Sequence, residues 1–504
     1  MSRVRGLPEL RIEAGGTPLL AADLRSLSAV RVRRQLTLPT QCELTFTDPR
    51  GALATSGIPP GTPLRVVAAG AEDLFSGEVT AVEYVHATGG TREVRVRGYD
   101  VLHRLRKRQP VRAHVQVTLE DLARELVSGM GLSVHAAVPG PLWRHLIQHG
   151  QTDLDFLVDQ ADRCGLYPVL HGDSLRLVTL EGEGEAIPLL LGETLLEATV
   201  EVNGDASCRE VSAEGWDALR AEAHAGHAAV PRVGRGVEAE VAPGTVGGEA
   251  KRALVNEPAE GVPHVEAAAQ AELDHRSARE VVLTAVAEGD ARLRPGARVE
   301  VRGVAAAVAG RYVLTSVTHS VDARRGFVSE LSSAPPPRRP RVRGSAVTLG
   351  VVSRVDDPDG KGRVRATLPA FGAVETDWMQ VLAAGGGAGK GLMLLPDVGD
   401  TVLLVLGGED PARGVVVGGL YGGDGPPDAG VEGGSVRRYT LLTPGGHRLR
   451  LDDEGRTLRL EDGMGSYLEM APGGVRLHSK VALDIEAPGQ DVVIRGRAID
   501  FRRG

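Results

Sequence analysis

Large rings are scarce in this chain of 504 residues, where aromatics make up 3%. That is too few to line a sugar groove or to give nucleobases a run of stacking platforms. Three cysteines, Cys42, Cys164 and Cys208, stand far apart without a CxxC pair. Their spacing argues against a disulfide scaffold or zinc knuckle and fits synthesis in a reducing cytoplasm. No uninterrupted apolar run approaches the roughly 18 residues of a membrane span, and no basic-then-apolar leader opens the sequence, so no signal peptide is expected. Excess positive charge is missing as well. A net charge of −8 gives a polyanion nothing to hold, and no nucleic-acid partner is expected.

Glycine and proline are plentiful, at 66 and 30 residues, and the length suggests about three or four domains. The clearest boundary is "SSAPPPRRPRVRGSAV" at 332–347, where proline stiffens the chain and removes backbone donors. Its Arg338, Arg339, Arg341 and Arg343 read as a solvated linker. Before it the pattern is mixed α/β; after it, all β. Residues 30–47 and 64–101 alternate apolar and polar as antiparallel strands do. "TLEDLARELVSGMG" has Thr118 and Asp121 placed for a capping box, with Leu119, Leu122, Ala123, Leu126 and Val127 on one face. "TDLDFLVDQADRCG" repeats the plan from Thr152 and Asp155 to Gly165. A hairpin turning at Gly172-Asp173 follows it, and a third helix is expected over 265–280. The Gly/Pro-rich stretch 231–263 reads as a long loop or hinge.

Between 345 and 422 five short strands with Gly-rich joints have the size of a small closed barrel of the oligonucleotide/oligosaccharide-binding (OB) type. Inside it, "AGGGAGKG" at 384–391 resembles a phosphate-cradling loop. Ala384 stands where that loop needs its first glycine, Gly391 where it needs a hydroxyl, and the β-like run after it contains Pro396 where a helix must begin. A loop between strands fits better, with Lys390 as a surface charge.

The tail alternates most regularly. Leu449 and Leu451, Leu458 and Leu460, Leu468 and Met470, Val475 and Leu477, Leu483 and Ile485, Val492 and Ile494, and Ile499 and Phe501 form apolar pairs. Between their members stand Arg450, Arg459, Glu469, Arg476, Asp484, Val493 and Asp500, all charged but one. Such pairs recurring roughly every eight residues mean short strands with one buried face in a repeat architecture. A single chain winding back and forth leaves that apolar stripe uncovered. Each buried Leu or Ile contributes about 1.5–3 kcal/mol only if water is excluded. Copies of the same stripe are the expected cover, three around an axis closing a triangular prism.

The barrel segments "DPDGKGRVRATLPAFG" and "DWMQVLAAGGGAGKGLMLLPDVGDTVLLVLGGEDPARGVVVGGLYGG" closely resemble the OB domain of VgrG proteins and of the central spikes of contractile phage tails. "TDLDFLVDQADRCGLYPVLHGDSLRL" and "RLRPGARVEVRGVAAAVAGRYVLTSVTHSVDARRGFVSEL" resemble their hub, and the alternating tail resembles their β-helical needle. The resemblance implies a mainly β fold with minor α: a hub of tube-like barrels with helical insertions over 1–331, a Pro/Arg linker over 332–344, an OB barrel over 345–422, a linker over 423–438 and an intertwined needle over 439–504. It implies a homotrimer that adapts a hexameric inner tube to a membrane-puncturing needle, driven by sheath contraction. Inner tube, tube-initiator and baseplate wedge proteins would meet the hub. A PAAR-like tip protein, and effectors through it, would dock on Phe501, Arg502, Arg503 and Gly504, with the target cell envelope met transiently. Such a chain is assembled in the bacterial cytoplasm, built into a baseplate, and left outside the cell or in the target envelope after firing. The layout is similar to the spikes of extracellular phage-tail-like systems.

No catalytic residue and no cofactor are expected. His145 with His149 has the i,i+4 spacing of a zinc protease helix, but Leu146 stands where the glutamate base belongs, and the pair reads as surface coincidence; His224 and His227 are the other close pair. Some needles of the family bind a metal through His-x-His, whereas this tail has only His447 and His478, so no ion is expected. Acidic pairs such as Asp356-Asp357, Asp452-Asp453 and Glu461-Asp462 have the residue types of a glycosidase but no aromatic platform. Phe371 and Trp378 are the main stacking candidates of the barrel, and Trp378 is expected in its core or at a domain joint. The competing readings are a nucleotide hydrolase using Lys390, an envelope hydrolase and a carbohydrate-binding tail fibre.

Overall fold

The computed structural model describes residues 10–48, 58–68, 73–88, 90, 92–217, 222–339, 344–422 and 425–502. The fold is mainly β, as the alternation implies. Leu27–Gln35 and Leu38–Thr47 pair antiparallel and turn Val30, Val32, Cys42, Leu44 and Phe46 inward, each at most 2% exposed. The sheet grows outward through Arg92–Tyr99, Asp73–His86, Pro63–Ala68 and Leu10–Ala14. On its other flank Leu27–Gln35 pairs with Ser316–Asp322, and the sheet runs on through Gly326–Ser332, Val281–Glu288 and Leu195–Val202. One sheet of eleven strands thus joins two cores, one around Leu44, Phe46 and Phe75, the other around Leu283, Val299 and Tyr312.

Two helices are set into this frame. In Leu119–Leu126 the Thr118 hydroxyl accepts the Asp121 N–H at 3.2 Å while the Asp121 carboxylate accepts the Thr118 N–H at 3.2 Å, so orphan donors are satisfied reciprocally. Asp153–Arg163 is capped by Thr152 and ends at Gly165, whose φ of +66° suits glycine. A Cβ there would stand 3.3 Å from Ala271 Cβ on the third helix, Val262–Glu280. That helix starts before the expected 265 because Pro263 fits a first turn, where its missing N–H costs nothing.

Three expectations are corrected. The stretch 231–263 is not all loop, since Lys251–Pro258 is a strand parallel to Glu210–Asp217, covering Val211 and Ala213 together with the third helix. His145 lies in the strand Trp143–Gln148, not on a helix, and it is 5% exposed rather than on the surface. Residues 332–339 are strapped to the helices, though the Arg339 side chain stays 42% exposed: Arg338 pairs with Glu272 at 2.6 Å, Arg339 with Asp155 at 2.8 Å, and Pro336 O accepts from His275 at 3.2 Å. The acidic faces of the second and third helices supply what the bare arginine cluster lacked. Arg341 and Arg343 lie outside the described residues.

The barrel orders its strands Val374–Glu375, Arg365–Leu368, Ser345–Arg354, Thr401–Gly407, Gly414–Leu420 and Gln380–Val381. Four of the five expected strands form at length. "DWMQVLAA" gives only Gln380–Val381 and a bridge from Met379 to Val364, because Asp377 bends the chain by accepting the Trp378 N–H at 2.8 Å. Residues of the chain divide into two compact units, Met1–Gly419 and Leu420–Gly504. In the second, Arg438–Leu442, Arg448–Asp452, Thr457–Glu461, Tyr467–Ala471 and Gly474–His478 form an antiparallel meander.

Candidate functional site

The meander has two unlike faces. Register places Leu441 opposite Leu449, Leu449 opposite Leu460, Leu451 opposite Leu458, Leu460 opposite Leu468, Met470 opposite Val475 and Leu468 opposite Leu477. One face is therefore an unbroken apolar stripe. The other carries Arg450 opposite Arg459, Arg459 opposite Glu469 and Glu469 opposite Arg476.

The charged face is knitted within the chain. Arg459 reaches Glu461 at 3.2 Å and Glu469 at 2.9 Å, and its guanidinium lies 4.0 Å from the Tyr467 ring centre, close enough for cation–π attraction. Its pKa is raised, first by hydrogen bonding to Glu461. The His478 ring lies 5.1 Å from Tyr467. At the entry to the meander, Asp428 accepts from Arg438 at 3.1 Å and from Gly430 N–H at 2.9 Å; the Arg438 hydrogen bond leads in holding its carboxyl down at about 2. Exposure inverts the usual order. Leu460 is 54% and Val475 70% exposed, while the side chains of Arg459 and Arg450 are 31% and 35% exposed.

Of the residues singled out in the tail, Leu449, Leu451, Leu458, Leu460, Leu468, Met470, Val475 and Leu477 fall on this one face. Leu483, Ile485, Val492, Ile494, Ile499 and Phe501 do not join it. The expected strands there are absent among the described residues, because nothing within the chain pairs beyond Gly474–His478. All six are more than half exposed, Phe501 at 89%. Arg502 pairs with Asp500 at 2.5 Å; Arg503 and Gly504 lie outside the described residues.

The other candidates are engaged locally. Gly387 and Lys390 exchange backbone hydrogen bonds of 3.1 Å in a tight hairpin, and the next regular element is the strand Thr401–Gly407, not a helix aimed at a phosphate. Asp357 accepts from Asp359 N–H, Lys361 N–H and the guanidinium of Arg363, which holds its carboxyl far below the usual range, with the Arg363 hydrogen bond the leading cause. Asp356 is paired with Arg354 at 2.7 Å.

Sequence reasoning anticipated Trp378 in the barrel core or at a joint but missed the histidines that meet the barrel from the hub. His149 meets Phe371 edge-on at 5.5 Å, and buried His145 faces Asp377, Arg365, Asp410 and Glu375, with its pKa lowered chiefly by desolvation. Trp378 is 9% exposed, with Arg365 5.2 Å and Arg354 5.6 Å from its ring centre. The apolar setting of His145 in "LWRHLIQ" was the available signal.

The family model of the type VI secretion system/phage-baseplate injector OB domain matches residues 348–421. That of the Alg8 N-terminal domain matches 58–323, more than half of the chain. No curated protein matches in sequence. Among solved structures, a chain of the lidded Francisella PdpA-VgrG complex aligns with a TM-score of 0.54 at 10% identity, covering 95% of this chain and 81% of that one. The lidless complex gives 0.52 at 8% identity, covering 94% and 99%. An Escherichia coli type VI secretion component similar in structure to the T4 tail proteins gp27 and gp5 gives 0.52 at 13% identity, covering 78% and 96%. At such identities the likeness is one of fold. With its first part matched by the Alg8 N-terminal domain and an injector OB domain after it, the chain belongs to the Alg8 N-terminal-domain family and is VgrG-like, a baseplate spike in fold.

Proposed function

We propose that three copies of the chain close around a common axis through the apolar face of the tail meander, forming the central hub and spike of a contractile injection baseplate. The observation that carries this reading is that Leu451, Leu460, Met470, Val475 and Leu477 on the apolar face are 41–70% exposed, while the side chains of Arg450 and Arg459 on the charged face are 35% and 31% exposed. A sheet with that inversion gains about 1.5–3 kcal/mol per large side chain when sister sheets exclude water. Leu483, Ile485, Val492, Ile494, Ile499 and Phe501 take strand partners from the sister chains and continue the prism.

Function is then mechanical, and no side chain need react. Bending a needle packed by three chains breaks many contacts together, so sheath-driven force passes down it and the tip holds its shape at the target envelope. The hub meets the inner tube, tube-initiator and wedge proteins. Phe501, Arg502, Arg503 and Gly504 seat a PAAR-like tip protein and its cargo. Light scattering on the purified chain should give three times the mass of one 53.0 kDa chain, and Leu460→Asp with Met470→Asp should shift that mass toward one. A wild-type protein with the mass of a single chain overturns the reading.

A further inference from the structure

The barrel has a second uncovered apolar surface, independent of the tail. Ser345–Arg354 and Thr401–Gly407 pair with Val347 opposite Val405 and Leu349 opposite Leu403. Their inward neighbours Val402, Leu404 and Leu406 are fully buried. The outward set is apolar too, with Val347 65%, Leu349 48% and Val405 36% exposed. Strands of an antiparallel sheet with one wet face alternate apolar and polar, and continuous apolar runs belong to strands covered on both sides. "TVLLVLG" reads as the second kind and is covered on one.

The same domain presents an apolar finger. Residues 392–395 are 51%, 71%, 58% and 47% exposed, yet the loop is pinned at both ends. Leu392 N–H donates to Ala384 O at 2.9 Å, and Asp397 N–H to Asp400 at 2.7 Å. Leu395 lies over Gly362, where a Cβ would sit 3.4 Å from its Cδ1.

We propose that the barrels of neighbouring copies pack on one another, the 392–395 finger of one lying on the outer face of Ser345–Arg354 and Thr401–Gly407 of the next. This rests on the three-copy reading above. Two different apolar surfaces on one domain make a heterologous contact, which is the kind that closes a ring of three; a self-matching patch would stop at two. The paired outward positions bear no charge that would select a polar partner, the depletion seen at the core of homomeric interfaces. The barrel's last strand, Gly414–Leu420, leads to the meander at Arg438, so copies joined by their tails hold their barrels at effective concentrations on the order of millimolar.

Thiol labelling of the full chain tests it, since Cys42, Cys164 and Cys208 are all buried and only introduced thiols react fast. Leu349→Cys and Met393→Cys should each label at least about tenfold more slowly than Glu249→Cys on the exposed hub surface, in samples with the mass of three chains. Fast labelling at either position in a three-chain particle overturns the barrel contact and leaves the tail-mediated assembly standing. A single-chain mass overturns both.

Discussion

His319 is the most deeply buried imidazole of the hub sheet, 1% exposed, between the Ser329 hydroxyl at 2.9 Å and Leu293 O at 3.1 Å. Burial, with Arg34 nearby, lowers its pKa to about 3, against the opposing hydrogen bond to Leu293 O and then the charge of Asp290. The imidazole is neutral in the folded hub and protonates more readily when unfolded. Its contribution is therefore in place above the ordinary histidine value of about 6.5 and is lost as pH falls toward 3. His319→Gln should remove about 3 kcal/mol of the stability lost between about pH 7 and 4, measured by denaturant titration at each pH. Single residues were the least legible part of the sequence. Asp357 reads as one of two adjacent carboxylates facing water until Arg363 is seen folded back onto it. His145 reads as a surface residue until the barrel is placed against it. Trp378 was legible, because a lone tryptophan among polar neighbours seeks cover, and here it finds two guanidinium planes.

Elements with a strict period were readable at once. The capping residues Thr118 and Thr152 fixed two helix starts, and period-two alternation fixed four of the seven expected tail strands with their faces. Arg438–Leu442 joins them without having been read, and the pairs from Leu483 onward form no strand among the described residues. Lys251–Pro258 escaped notice because its side chains are mostly exposed and its pairing is parallel, with a partner distant in sequence. The segment 332–339 escaped for the same reason as Asp357, its partners being carboxylates on the helices Asp153–Arg163 and Val262–Glu280. Because Arg338 is held at Glu272 and Arg339 between Asp155 and Asp159, Arg338→Ala with Arg339→Ala should free the strap. Limited proteolysis by an enzyme that does not require arginine should then cut near 332–344 about several-fold faster, while hub circular dichroism stays unchanged.

At the scale of the molecule, the barrel's place in the chain was legible from its motif, whereas the sheet uniting the two hub cores was not, since neither strand pattern names its partner. Assembly through apolar faces also predicts a response to salt. At about 1 M salt, where charges are screened beyond about 3 Å, the mass should remain that of the assembled particle, because burying leucines does not depend on ion pairing. Light scattering across a salt series checks this, and dissociation would show that the charged face does the holding. The shared hub sheet has one more consequence, during synthesis. Leu27–Gln35 leaves the ribosome with the edge that will receive Ser316–Asp322 still bare, and that edge stays open to strangers until residue 322 has been made. Such delayed pairing is slow and prone to misassociation. A nascent spike of this kind gains more from a chaperone than a chain whose neighbouring strands are consecutive.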